Sequence, residues 1–331
     1  MVRVLFASMA TTILEILNTI LPVFLVAGAG FALSKAVLNR IARTEGGAVE
    51  AGAAAVSSGI RQFLHVLAFH VSGPAFVFTA LRTSDVSLDA LGAPAIMGVL
   101  MYAVLVIAAV AVAAIARWDA DGRKAAVLSL ASKNCGNYGL PIMLFAFGEE
   151  GLVIGTIFMI SHVLVHMTVG LSIASWSEEH SVMKRLVSAL RFPYVYAIGL
   201  ALLLRALAVP IPAAIERPIE LIGQMWMPLM LILLGVELAH VKLAHVWRPS
   251  MILAGVKLLL PPVLAFGLAA LLGLEGVMRA VLILQASTPT AVNGLLVARQ
   301  FDARPDLVAS TLMLSTLGSI LTISILLGLV S

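Results

Sequence analysis

The chain has 331 residues, 61% apolar and 11% charged, with a mean hydropathy of +1.07, whereas soluble domains carry roughly a quarter charged residues. A soluble core of this length needs a polar coat that these Lys, Glu and Asp residues cannot supply, so the outer surface is expected to face hydrocarbon. A net charge of +4 spread singly over loops excludes nucleic acid as a partner despite a pI of about 9.5, and Cys135 as the single cysteine excludes an intramolecular disulfide or a thiolate metal cluster.

Apolar runs of about 20 residues, long enough to cross a bilayer, predict ten spans. The first, at 12–34, is too long for a signal peptide. The others of the first half lie at 60–81, 92–116, 124–147 and 151–175, and the second half supplies 193–209, 218–239, 250–272, 276–298 and 306–330. No polar segment between spans is long enough to build a soluble domain. The polar, Gly- and Ala-rich stretch at 38–58 reads as a cytoplasmic loop or surface helix inserted into the first half.

Lys and Arg fix the expected orientation, because positively charged loops stay on the cytoplasmic side. Fourteen of these residues fall in alternate loops on one side, and five (Arg3, Arg82, Arg205, Arg217 and Arg279) fall on the other. An inner-membrane, multi-pass protein with both termini on the outer, periplasmic side is expected. Five spans in each half, 1–175 and 176–331, put the halves in opposite orientations if they are structural repeats. Pro22, Pro74 and Pro141 in spans one, two and four are echoed by Pro193, Pro228 and Pro289 in spans six, seven and nine.

Two spans carry a polar block at their centre. In span four, Lys133-Asn134-Cys135-Gly136-Asn137-Tyr138-Gly139 interrupts an apolar run that resumes at Leu140-Pro141. In span nine, Gln285-Ala286-Ser287-Thr288-Pro289-Thr290-Ala291-Val292-Asn293-Gly294 does the same. Backbone groups freed by Pro and Gly stay unpaired in hydrocarbon unless protein or a water-filled cavity satisfies them. Paired interruptions in inverted halves therefore point to a substrate site. Thr288 followed by Pro289 has the form of an N-cap and first helical residue, which aims N–H groups and a positive dipole end at an anion. Pro141 is expected to open a half-helix likewise.

Lys133 stands nine residues beyond Lys124, about 14 Å at helical rise, near the middle of a core of about 30 Å. Its ammonium suits attraction of a carboxylate, substitution for a coupling cation, or a response to voltage; its structural role would be a lysine satisfied by carbonyls. Asn134, Asn137 and Asn293 both donate and accept hydrogen bonds, as a site that takes and releases a carboxylate requires; the same groups also serve as interhelical glue. With Thr288 and Thr290 they complete the candidate substrate site. Lys257 reads as a snorkelling lysine, Glu237 as an interfacial structural group, and His65, His70, His162 and His166 as packing residues. His162 and His166 are spaced i, i+4 without the glutamate of a zinc protease motif. No metal ligand set or cofactor motif is found. Neither Asp nor Glu occurs in the two polar blocks.

The block Asn134 to Pro141, followed by Phe147-Gly148 and Gly151, resembles the fourth helix of the auxin efflux carrier family. Ser287-Thr288-Pro289-Thr290-Ala291-Val292, followed by Val297-Ala298-Arg299-Gln300-Phe301, resembles that family's ninth helix and its exit. The resemblance implies an all-α integral membrane fold like those of the plant PIN proteins and the bile-acid sodium symporters, NhaA-like in its broken helices. It would have ten transmembrane helices as two inverted five-helix repeats, with helices four and nine crossing at Pro141 and Pro289. It further implies a substrate contact at Asn134. Helices 1, 2, 6 and 7 would form a scaffold, expected to dimerise, against which a transport domain of helices 3–5 and 8–10 moves as an elevator. Short relatives in that family include bacterial carriers of malonate and malate, and this chain lacks the long central loop of many plant members.

The sequence thus leads to a secondary transporter or uniporter for small organic anions, mono- or dicarboxylates or auxin-like acids. Its alternatives are a receptor or sensor on a carrier-like fold, a passive channel, and a membrane-embedded enzyme. The enzyme is disfavoured by the lack of a zincin, phosphate-loop or nucleophile-elbow motif. Ligand binding without turnover would identify a receptor, counterflow would separate carrier from channel, and hydrolase assays would expose an enzyme.

Overall fold

The computed structural model describes residues 2–44, 59–84, 86–87, 89–170, 172–173, 193–240 and 246–330. These are helical almost throughout, and no strand occurs among the described residues. In chain order the helices are α1 (Val2–Thr44), α2 (Gly59–Thr83), α3 (Gly92–Ile115), α4 (Ala120–Leu130), α5 (Leu140–Val165), α6 (Pro193–Ala206), α7 (Ala213–Gln224), α8 (Trp226–His240), α9 (Trp247–Leu271), α10 (Gly276–Ala286), α11 (Val292–Gln300) and α12 (Pro305–Val330). Seven helical stretches among the described residues are long and apolar enough to cross a membrane, and α6 and α10 are shorter apolar helices. One of the seven, Ala120–Gly170, is 51 residues long, over twice what one crossing needs. It turns at Gly148, whose φ of +62° and ψ of −153° lie where a side chain is strongly disfavoured. Of the predicted loop at 38–58, the last fourteen residues, 45–58, lie outside the described residues, as does the boundary predicted between the two halves at 175–176.

Two compact units divide the chain. One comprises Met1–Leu21, Asp85–Ala189 and Val241–Ser331; the other comprises Pro22–Ser84 and Leu190–His240. In the first, α3 packs on α5 and α4, α9 on α12 and α10, α10 on α5, and α11 on α4 and α12. Its centre is made by short helices: Ala280 to Ala286 of α10 are at most 2% exposed on every side, the signature of a helix surrounded by protein. Its outer helices carry large exposed apolar groups such as Ile115, Leu259, Val263 and Leu321. Such faces are stable against lipid and costly against water.

The second unit packs α2 against α6 and α7. Trp226 is fully buried, stacks on Phe76 at 4.6 Å between centroids, and donates to the Tyr194 hydroxyl over 3.2 Å. Arg82 donates to the Val209 carbonyl just beyond α6, and Arg205 of α6 donates to the Leu81 carbonyl, each at 3.2 Å. Each helix thus supplies a cation to the carboxyl end of the other, where the dipole favours one. Glu237, 5% exposed, accepts from His65 at 2.9 Å and lies 3.9 Å from Arg61. This places it in a structural cluster with a histidine and an arginine of α2.

Candidate functional site

Both central polar blocks break their helices, and the two breaks meet inside the first unit. The helix α4 ends at Leu130. Ala131 closes its last turn, residues 132–134 are non-helical, and a π-helical turn at Cys135–Gly139 then leads into α5. Similarly, α10 ends at Ala286, residues 288–291 are non-helical, and α11 begins at Val292. The helices α4 and α10 are 11 residues each, about 16 Å at helical rise, or roughly half a hydrocarbon core.

Direct bonds tie the breaks together. The Asn134 backbone N–H donates to the Pro289 carbonyl at 2.9 Å. Thr290 Oγ1 donates to the Ser129 carbonyl at 2.8 Å, and the Thr290 N–H donates to Ser315 Oγ of α12 at 3.2 Å. Lys133 Nζ donates to the Ala286 carbonyl. Cys135 Sγ lies 3.8 Å from Thr288 Oγ1. Where α11 starts, a Cβ on Gly294 would sit 2.6 Å from the Leu128 carbonyl oxygen, so the second break lies directly on the end of α4. Each irregular segment therefore meets part of its backbone need in the other, as backbone away from water must.

The predicted site residues fall as follows. Lys133, Asn134, Asn137, Thr288 and Thr290 are buried, at 7% exposure or less, and Asn293 is half-buried in the first turn of α11. Asn134 Nδ2 is buried without a hydrogen-bond partner. Pro141 lies in the first turn of α5 as expected, although the π turn before it already starts the half-helix at Cys135. The expectation that Thr288 and Pro289 open a helix is corrected: both lie in the non-helical linker, Thr288 Oγ1 turns back to the Gln285 carbonyl at 2.8 Å, and Ala291 precedes α11. Neither Asn134 nor Ala291 supplies a side-chain cap. Both amino-terminal ends consequently present backbone N–H groups without a side-chain acceptor at the cap, and their dipoles favour negative charge.

Three residues gain a place that the sequence reading did not give them. Lys257, expected to snorkel, is fully buried and donates to the carbonyls of Leu130 and Ser132 at 2.7 and 2.8 Å. His162 donates from Nε2 to the Ala131 carbonyl at 2.9 Å. Gln285, 0% exposed, lies between Gly139 and Gly155. Its Nε2 donates to the Gly155 carbonyl at 3.4 Å, while its Oε1 has no partner. A glutamine ending the apolar run Ala280–Leu284 was the visible signal for that last position. A cavity of about 370 Å³ beside Phe147, Arg279 and Leu329 shares no residue with this crossing.

Apolar helices, two of them broken where they meet in a hydrogen-bonded crossing, define a multi-pass membrane protein built like a transporter. Residues 55–327 match the family of membrane transport proteins, and the chain belongs to it, the auxin efflux carrier family that its two motifs resemble. The chain is 28% identical over 266 residues to an uncharacterized transporter of Methanothermobacter thermautotrophicus, covering 78% of this chain and 86% of that relative. It is 25% identical over 200 residues to an uncharacterized transporter of Methanocaldococcus jannaschii, covering 58% of this chain and 63% of that relative.

Proposed function

We propose that this membrane transporter is a carrier of small organic anions, mono- or dicarboxylates such as malonate or malate, working by elevator-type alternating access. The observation that carries the reading is the sorting of helix ends at the crossing. The amino-terminal ends at Cys135 and Val292 have no side-chain cap, whereas basic side chains hold the carboxyl-terminal ends at Leu130 and Ala286. What faces a ligand there is positive in sign. Asn134 Nδ2 adds a buried donor without a partner, and Asn137, Thr288, Thr290 and Asn293 supply further polar groups around it.

In this reading the chain crosses the membrane ten times as two inverted repeats, with Gly148 turning span four into span five. The scaffold is formed by helices 1, 2, 6 and 7 and dimerises, and the transport domain is formed by helices 3–5 and 8–10. Support comes from the grouping of both breaks, with their neighbours, in one compact unit. The membrane is the inner one, with both termini outside, on the strength of the Lys and Arg bias.

Uptake of labelled malonate, malate and monocarboxylates into proteoliposomes, with and without proton, sodium and voltage gradients, tests the proposal. Saturable uptake with counterflow is expected. No saturable uptake of any of these acids under any gradient would sink it.

A further inference from the structure

Lys257 and His162 reach the same place from different helices. Lys257 of α9 takes the Leu130 and Ser132 carbonyls, and His162 of α5 takes the Ala131 carbonyl between them. Three successive carbonyls at the carboxyl end of α4 are thus each held by a basic side chain. The last carbonyls of a helix lack intrahelical donors and carry the negative end of its dipole. No water is at hand in hydrocarbon to satisfy them. Among the described residues of this unit the buried ionic side chains are Lys133, Lys257, His162 and His166, and no Asp or Glu is buried with them. No carboxylate therefore competes for the two donors.

The three clamped residues run straight into Lys133 and Asn134. Their position sets where the Asn134 N–H meets Pro289 and where the turn at Cys135 begins. We infer that Lys257 and His162 are positioning residues of the crossing: they fix the break in α4 and cover its carbonyls, so that a ligand meets Asn134 and the amino-terminal helix ends rather than those carbonyls. The ligand in this inference rests on the anion-carrier reading; the clamp does not.

The test uses the full chain in lipid nanodiscs and in proteoliposomes. Two quantities are read: backbone hydrogen exchange over 128–138, and the KM and kcat of malonate uptake. Lys257→Met is expected to speed exchange after Leu130 and to raise KM roughly tenfold or more, with a smaller change in kcat. Lys257→Arg, which keeps a cationic donor, is expected to restore most of both. His162→Gln, whose amide can still donate to Ala131, should disturb less than His162→Leu. Unchanged exchange and KM in Lys257→Met, or equal loss in Lys257→Arg, overturns the inference. Should Lys257→Met not fold, the two His162 variants carry the same readouts, and equal behaviour of the pair overturns it. A wild-type chain that takes up none of malonate, malate and the monocarboxylates, while exchange responds as expected, sinks the carboxylate reading and leaves the clamp standing.

Discussion

The backbone N–H of Asn134 donates to the carbonyl of Pro289 over 2.9 Å, joining two helix breaks that lie 155 residues apart in the chain. The bond uses main-chain atoms only, so the Asn134 side chain is left to do something else. Proline suits the acceptor position, since it has a carbonyl but no N–H of its own to satisfy.

Replacing the side chain should therefore spare this joint. Asn134→Ala is expected to melt within a few degrees of wild type, because the Nδ2 it removes has no partner. It should lose uptake on the order of tenfold or more, as expected for a lost hydrogen bond to a charged ligand of about 1.5–3 kcal/mol. Thermal melting beside initial uptake rates checks both halves. Full activity would move the ligand away from Asn134.

Lys133→Ala should behave differently, since its Nζ already serves the Ala286 carbonyl. Stability is expected to fall by about 1–3 kcal/mol as a buried acceptor loses its donor, and uptake to fall as well. Lys133→Arg, retaining a cation, should recover part of each. Denaturation midpoints measured with uptake rates separate this from an Asn134-like loss of transport alone.

The existence of the breaks was legible because Pro, Gly and Asn inside a 20-residue apolar run have few explanations other than a broken helix. Their end geometry was not. Thr288-Pro289 carries the chemistry of a helix start, but Thr288 Oγ1 is drawn back to Gln285, and proline biases the residue before it toward extended backbone. The depth of Lys257 was equally hidden. Its position along α9 is compatible with snorkelling, and burial depends on carbonyls 125 and 127 residues away that no local pattern announces. His162 follows the same logic, its acceptor being 31 residues distant.

Thr290 ties the second break to two helices, donating from its hydroxyl to Ser129 and from its N–H to Ser315. Thr290→Val keeps the shape and removes the hydroxyl bond only. It should cost about 1–3 kcal/mol by leaving a buried acceptor short of a donor, whereas Thr290→Ser should cost less. Thermal unfolding of the pair decides it, and a valine variant as stable as wild type would show that the bond contributes nothing net.

Gln285 packs against two glycines, Gly139 and Gly155. A Cβ at Gly155 would come within 2.7 Å of Gln285 Nε2, and one at Gly139 would overlap Gln285 Oε1. Gly139→Ala and Gly155→Ala should each force the glutamine aside, costing about 1–3 kcal/mol as overpacking does. Shortening the obstacle should relieve the clash, so Gly139→Ala combined with Gln285→Ala is expected to be more stable than the sum of the single losses predicts. Residues in contact commonly show coupling of about 0.5–3 kcal/mol in such a cycle. Strict additivity across the four proteins would mean that Gln285 does not fill the space between the glycines. If the coupling appears in stability and again in the KM for malonate, Gln285, with its free Oε1, joins Asn134 as a residue that shapes the ligand's surroundings.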